Sequence, residues 1–382
     1  MLFKPNYNKM RNIFVLLLFV IPMACLAADN TPADTPPAVP EKPLNIIFLI
    51  GDGMGLSAVS TGFYFGDQPS VFTRFREIGL QQTSSSSHKV TDSAASGTAL
   101  AAGTLTYNGA VGVDTSRISV QNIAELLASM GYSTGVVATS TISHATPASF
   151  YAHVEQRAME EEIVAQLIDS EIDFFAGGGR AKFNMRTDSV DLLPLAAEKG
   201  FVIDTTGLPA TGTLSADKKY GFLPEAGSMP PLVEGRGDFL PAATTLAISH
   251  LSQNEKGFFL MVEASQIDWA GHANDVEYMV GEMLDFEKVI AAALDFAEKD
   301  GNTLVVVTAD HETGGYTLGS QRPRPGQKIT ADYSGIDPVF ATTGHSATLI
   351  PVFAFGPGAE QFKGIYKNTE INHKMVALTK GK

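Results

Sequence analysis

One cysteine, Cys25, and one tryptophan, Trp269, stand in a chain of 382 residues. The cysteine falls within the first 28 residues, so the rest of the chain has no disulfide of its own and must draw stability from packing and bound ions. Basic residues are scarce as well. Only 27 Lys and Arg face 41 Asp and Glu, for a net charge of −14, which argues against nucleic acid or an anionic membrane as a partner. Charge of either sign is modest, at 18% of residues against 44% hydrophobic. That balance buries a sizeable core and excludes disorder by composition.

What is present begins with a leader. Lys4, Lys9 and Arg11 precede the apolar run Ile13–Ile21, and Ala24, Ala27 and Ala28 follow. The run is too short to span a bilayer and reads as a secretory signal peptide over residues 1–28, cleaved near Cys25-Leu26-Ala27. Pro22 stands where a lipoprotein signal carries a branched apolar residue, which speaks against acylation of Cys25. Cleavage removes the cysteine and three bases, so the net charge falls from −14 to −17. The expected location is periplasmic or secreted. Residues 29–43, with Pro32, Pro36, Pro37 and Pro40, form an extended linker. Residues 44–382 read as a single domain.

Within it, short apolar runs alternate with helical patterns. Strands are predicted at Asn45–Ile50, Thr134–Thr139, Phe174–Ala176, Phe258–Val262, Leu304–Thr308 and Val352–Phe355. Helices are predicted at Ser119–Met130, Ala158–Ser170, Val190–Glu198, Ala242–Leu251 and Val276–Lys299. The alternation predicts an α/β fold: a three-layer sandwich with a large, mostly parallel sheet and helices on both faces. The stretch 314–343 shows little periodicity and reads as an insertion near the functional face.

Two features carry chemistry. The first is Val90-Thr91-Asp92-Ser93-Ala94-Ala95-Ser96-Gly97-Thr98, which places a serine at the head of a small-residue helix. Thr91 or Asp92 caps it and Gly103 closes it. A helix start attracts anions, and small neighbours let phosphate approach the backbone. The second is the placing of acids and imidazoles just past the strands, where ligands bind in open α/β sheets. Asp52 follows the first strand. Glu263, Asp268 and His272 follow the strand at 258–262, Asp310 and His311 that at 304–308, and His345 precedes the last. Mixed oxygen and nitrogen donors suit catalytic zinc, and all-oxygen sets including Thr146 suit magnesium. Spacing alone does not pair ligands with ions. His88, His153, His250 and His373 fall in no motif and read as ordinary surface or core residues.

From about Asn45 to Gly358 the chain resembles the bacterial alkaline phosphatases. Val90–Thr98 agrees with the family's nucleophile signature, and Asp52-Gly53-Met54-Gly55, Asp310-His311-Glu312 and Val352-Phe353-Ala354-Phe355-Gly356-Pro357 follow in the family's order. The resemblance implies a phosphomonoesterase with two Zn2+ and one Mg2+, a phosphoserine intermediate on Ser93, Arg157 as phosphate clamp, a small crown-like insertion and a homodimer. It assigns Asp268, His272 and His345 to one zinc, Asp52, Asp310 and His311 to the other, and Asp52, Thr146 and Glu263 to magnesium. Asp92 is expected to orient Arg157. His144 and Trp269 stand where enteric members carry Asp and Lys, so weaker phosphate binding is expected. Two alternatives compete: a phosphodiesterase or nucleotide pyrophosphatase of the same superfamily, and a non-catalytic periplasmic phosphate- or zinc-binding protein. The intact Ser93 speaks against the binder, and Arg157 with the Thr146 and Glu263 site against the diesterase.

Overall fold

In β1 (Asn45–Gly51) every residue after Asn45 is buried, as an apolar run covered on both faces of a sheet must be. The computed structural model describes residues 44–209, 214–321 and 332–379, so the leader and linker lie outside the described residues. After β1 come α1 (Leu56–Phe65), β2 (Glu77–Gln82), α2 (Ser93–Ala102), α3 (Ile123–Ser129), β3 (Ser133–Thr141), α4 (Ala145–Ala148), α5 (Glu160–Asp169), β4 (Phe174–Gly178), α6 (Ala181–Asn184), α7 (Leu192–Glu198) and β5 (Phe201–Asp204). Next are β6 (Lys219–Phe222), α8 (Phe239–Leu251), β7 (Phe258–Ala264), α9 (Gln266–Ala273), α10 (Val276–Asp300) and β8 (Thr303–Thr308). The chain closes with β9 (Glu312–Thr313), β10 (Thr317–Gln321), β11 (Asp332–Val339), β12 (His345–Ser346), β13 (Ile350–Phe355), β14 (Gly364–Lys367) and α11 (Thr369–Thr379).

Ten strands form one sheet in the order β14-β2-β13-β8-β1-β7-β3-β4-β6-β5. Only β13 is reversed, running antiparallel to β2 and β8, and every other pairing is parallel. The two-residue period of β1 divides its side chains between two cores. Ile46, Phe48 and Ile50 pack into a layer with residues of α2, α3, α5 and α11. Ile47 and Leu49 pack into the opposite layer with residues of α1, α8 and α10. Each such side chain contributes roughly 1.5–3 kcal/mol through burial. The expected three-layer α/β sandwich is therefore the observed one.

Departures from expectation have local causes. Helix α3 starts at Ile123 rather than Ser119, because Asn122 and Glu125 close a capping box there. Helix α8 starts three residues early, at Phe239, with Pro241 in a first turn where its missing N–H costs nothing. The 314–343 segment is less irregular than expected. Within it β10 and β11 pair antiparallel, while residues 322–331 lie outside the described residues. Strands β2, β5, β6 and β14 were not expected: all are short, and none is a continuous apolar run.

Helix α2 matches its signature. The Asp92 carboxylate accepts from Ala95 N at 3.0 Å, and Gly103 ends the helix at φ 65°. Its small residues permit close packing on α4. A Cβ on Gly97 would stand 2.8 Å from Ser149 Oγ and 3.4 Å from Thr146 Cα.

Candidate active site

The sheet delivers the polar residues to one place. Asp52 follows β1, Glu263 is the penultimate residue of β7, and Asp310 and His311 follow β8. Asp268 and His272 sit four residues apart on α9, so one face of that helix presents both. His345 opens β12, which pairs with β9 and brings it opposite Thr313. Ser93, at the first turn of α2, is 2% exposed, and its Oγ lies 3.2 Å from His311 Nε2. The turn after β1 must be glycine. Gly53 has φ 74°, and a Cβ there would lie 2.7 Å from Asp268 Cα.

Three imidazoles are oriented the same way. His345 Nδ1 donates to Thr91 O at 2.9 Å, and His272 Nδ1 to Thr343 O at 2.5 Å. Thr313 spends its own hydrogen on Asp268 Oδ1 at 2.5 Å, so its oxygen accepts from His311 Nδ1 at 3.2 Å. Each ring thereby turns Nε2 inward, the nitrogen on which a metal ion would replace a proton. His272 Nε2 and His345 Nε2 stand only 3.2 Å apart, and His272 Nε2 is 3.3 Å from Asp268 Oδ2. His311 Nε2 lies 3.1 Å from Asp310 Oδ2 and 3.5 Å from Asp52 Oδ1. Fixing the far nitrogen on a protein acceptor is how metal-ligating histidines are held.

The carboxylates tell the same story. Both oxygens of Asp52, Asp310 Oδ2, Glu263 Oε1 and Thr146 Oγ1 are buried and take part in no hydrogen bond. The other oxygens are firmly held. Asp310 Oδ1 accepts from Gly53 N and His311 N, and Glu263 Oε2 accepts from Ser140 Oγ and Ser265 Oγ. Burial pushes Glu263 up to about 7, and burial with the charges of Asp310, Asp268 and Glu263 raises Asp52. Burial would raise Asp310 too, but the His311 charge and the Gly53 N–H outweigh it and hold Asp310 low. Buried anions left unpaired are costly, so this donor set fits divalent cations. Within ligand reach of one another are Asp268, His311 and His345; Asp52, Asp310 and His311; and Asp52, His144 and Glu263. His311 beside Asp268, and His144 beside Glu263, are groupings that sequence order did not suggest.

Arg157 reaches the same pocket from the segment after α4. Its Nη1 lies 3.5 Å from Asp92 Oδ2, and its Nη2 is 2.9 Å from His144 Nε2. Burial and the Arg157 charge hold His144 down at about 4, so the ring is neutral and accepts from the guanidinium. Trp269 stands edge-on to His144 with centroids 6.1 Å apart. Sequence reasoning missed the residues that hold these groups: Ser140, Ser265 and Thr313. Hydroxyls scattered over more than a hundred residues carry no spacing signal. Glu312, named in the sequence as part of the Asp310-His311-Glu312 motif, has no role of its own in that reading. It accepts from Tyr316 N at 3.0 Å and from Ser346 Oγ, which braces β9 against β12.

Converging carboxylates and inward imidazole nitrogens define the class as a metal-dependent enzyme. Comparison with known proteins narrows it. A family model for alkaline phosphatase matches residues 43–336. The solved structure of alkaline phosphatase from the Antarctic bacterium TAB5 is 51% identical with a TM-score of 0.86, over 89% of this chain and 99% of that one. A His-to-Asp mutant of that enzyme, solved with Mg bound in its M3 site, matches at 50% identity and a TM-score of 0.86, over the same shares of the two chains. Alkaline phosphatase 3 of Bacillus subtilis (strain 168) is 34% identical over 86% of this chain and 87% of its own length. The chain belongs to the alkaline phosphatase family.

Proposed function

We propose that the chain hydrolyses phosphate monoesters of broad range through a phosphoserine intermediate on Ser93, with two Zn2+ and one Mg2+. Asp268, His272 and His345 would hold one zinc, Asp52, Asp310 and His311 the other, and Asp52, Thr146 and Glu263 the magnesium. The carrying observations are the 3.2 Å approach of the His272 and His345 Nε2 atoms and the buried oxygens of Asp52, Asp310, Glu263 and Thr146 that take part in no hydrogen bond. When bound, the cations supply positive charge for the entering and leaving oxygens of an in-line displacement.

The chain's own residues do the rest. Helix α2 aims Ser93 Oγ into the pocket, and the backbone N–H groups of its first turn favour a dianion there. Arg157 holds two phosphate oxygens with its planar fork, which a lysine could not match. Asp92 and His144 fix that fork from two sides. Oγ gives its proton to water as it forms the Oγ–P bond, the P–O bond to the alcohol breaks, and the leaving oxygen takes a proton from water. Water then breaks the Oγ–P bond, returns a proton to Oγ and frees phosphate. Trp269 contributes no positive charge, so product phosphate is held weakly. The leader over residues 1–28 supports action in the periplasm or medium, and the family resemblance supports a homodimer.

Turnover of a chromogenic monoester and diester, with Ser93→Ala as control, tests the reading. Monoester turnover lost in the variant is the expected result. Diester preference, or phosphate binding without turnover, would overturn it.

A further inference from the structure

His153, four residues before Arg157, carries no motif, yet both nitrogens of its ring face acceptors at short range. Nδ1 lies 2.7 Å from Gly112 O, and Nε2 lies 2.7 Å from Glu125 Oε1. A neutral imidazole has one N–H and satisfies one of these, whereas the imidazolium satisfies both. The two partners matter. Glu125 Oε2 closes the capping box of α3 by accepting from Asn122 N at 3.0 Å. Gly112 belongs to the segment that aligns Arg157. Val111 and Val154 exchange backbone hydrogen bonds, and Arg157 N donates to Gly109 O at 2.7 Å. Gly109 N in turn donates to Asp92 Oδ2 at 2.9 Å, and Gly112 N donates to Thr98 Oγ1 on the nucleophile helix at 2.9 Å. The His153 backbone is itself gripped at both ends by Gln166 of α5.

We propose that His153 is a positioning residue for the phosphate clamp: as a cation it ties the Arg157 segment to α3, and on losing a proton it releases one partner and loosens the hold on phosphate. The proposal deepens the functional reading above and rests on Arg157 as the clamp. The charged form is favoured by Glu125, whose hydrogen bond holds the ring above the usual histidine range against its partial burial. Among the charged groups nearby, Glu155 on the same segment is engaged by Arg117 at 2.8 Å, and Gln166 is uncharged. A raised value in this sense keeps the tie to higher pH than an ordinary histidine would, and the tie is lost as the pH rises through it. Phosphate release would therefore quicken as the pH rises through that transition.

The test is the phosphate inhibition constant, with kcat and KM for a chromogenic monoester, for metal-loaded wild type, His153→Gln, Glu125→Gln and Arg157→Ala between roughly pH 6 and 10. At the acid end of that range, His153→Gln should weaken phosphate inhibition and raise KM by roughly five- to tenfold, the worth of one net hydrogen bond, without lowering kcat. The gap from wild type should close as the pH rises. Glu125→Gln keeps an acceptor but removes the charge, so it should move the wild-type transition to lower pH. Histidine ¹⁵N spectra should show His153 losing its proton at the transition midpoint. A gap independent of pH, unchanged phosphate affinity at the acid end of the range, or a transition unmoved by Glu125→Gln overturns the proposal. If Arg157→Ala leaves phosphate affinity intact, the clamp reading fails and takes this inference with it. If Arg157→Ala weakens binding and His153→Gln does not, the inference alone fails.

Discussion

Two clusters of buried carboxylates lie among the described residues, and they are neutralised by different means. On α10, Glu282 and Asp285 share the guanidinium of Arg236, at 2.6 Å and 2.9 Å, with side chains 1% exposed or less. Glu282 also accepts from Leu232 N at 2.8 Å, and Lys288 Nζ stands 3.7 Å from Asp285 Oδ1. That cluster carries its counter-charge covalently. At the strand ends, Asp52, Glu263, Asp268 and Asp310 are equally buried, but the polypeptide offers them imidazoles in place of a guanidinium or an ammonium. A permanent covalent cation leaves a cluster finished and inert. A cluster that must recruit its cation keeps coordination positions for a substrate, which is why the reactive serine stands beside the second and not the first.

Chelation should break the comparison most sharply. Stripping the ions is expected to abolish monoester turnover and to lower the melting temperature in the same titration, because the ions bind the folded ligand set alone. A chelated protein that kept its melting temperature would refute the structural half of this claim. Next in size is Arg236→Met, which takes the shared guanidinium from two buried carboxylates, leaves them only Leu232 N and Lys288, and should cost about 3–5 kcal/mol in denaturant unfolding. Replacing Glu282 and Asp285 by Leu in the same protein should recover most of that loss, and failure to recover would mean the triad is needed for more than charge balance.

A pH series on the chelated protein is subtler. Folding lifts Glu263 from 4.5 to about 7, so the metal-free folded state holds its proton more tightly than the unfolded one. That contribution is present in full below 4.5 and disappears as the pH rises through about 7. Chelated wild type should thus lose stability relative to Glu263→Gln across that window in thermal melts, while with ions bound the order reverses. Parallel pH profiles for the two chelated proteins would contradict this. The smallest effect is expected from Trp269→Lys, which gives the strand-end cluster a covalent cation. It should tighten phosphate inhibition by a few-fold, and unchanged inhibition would show that Trp269 does not set product affinity.

Much of the site was legible because it follows directly from chain order. Asp52, Glu263, Asp310 and His311 each end or follow a buried run, so locating the strands located them. Helix α2 was equally plain, since cap, small residues and terminal glycine are all local signals. What escaped were the holders of the site. His153 read as an ordinary histidine, yet it joins Gly112 to Glu125 across segments distant in the chain. Strand β2 escaped for a related reason. Its sequence, Glu77-Ile78-Gly79-Leu80-Gln81-Gln82, looks too polar for a sheet, but Gln81 is fully buried because Thr308 Oγ1 and Ala309 O accept from its amide. Partners of that kind are recruited from far along the chain, so no window of sequence contains them.

By itself the sequence determined the layered α/β architecture, the end of the sheet where chemistry collects, and the residue types gathered there, because hydrophobic period and helix caps act over a few residues. Tertiary structure decided which nitrogen of each histidine points inward, which carboxylate oxygens keep a free lone pair, and which neutral ring meets Arg157. Those are choices among hydrogen-bond partners from 2 to 254 residues apart, and they are settled only when the strands lie side by side and water has been excluded.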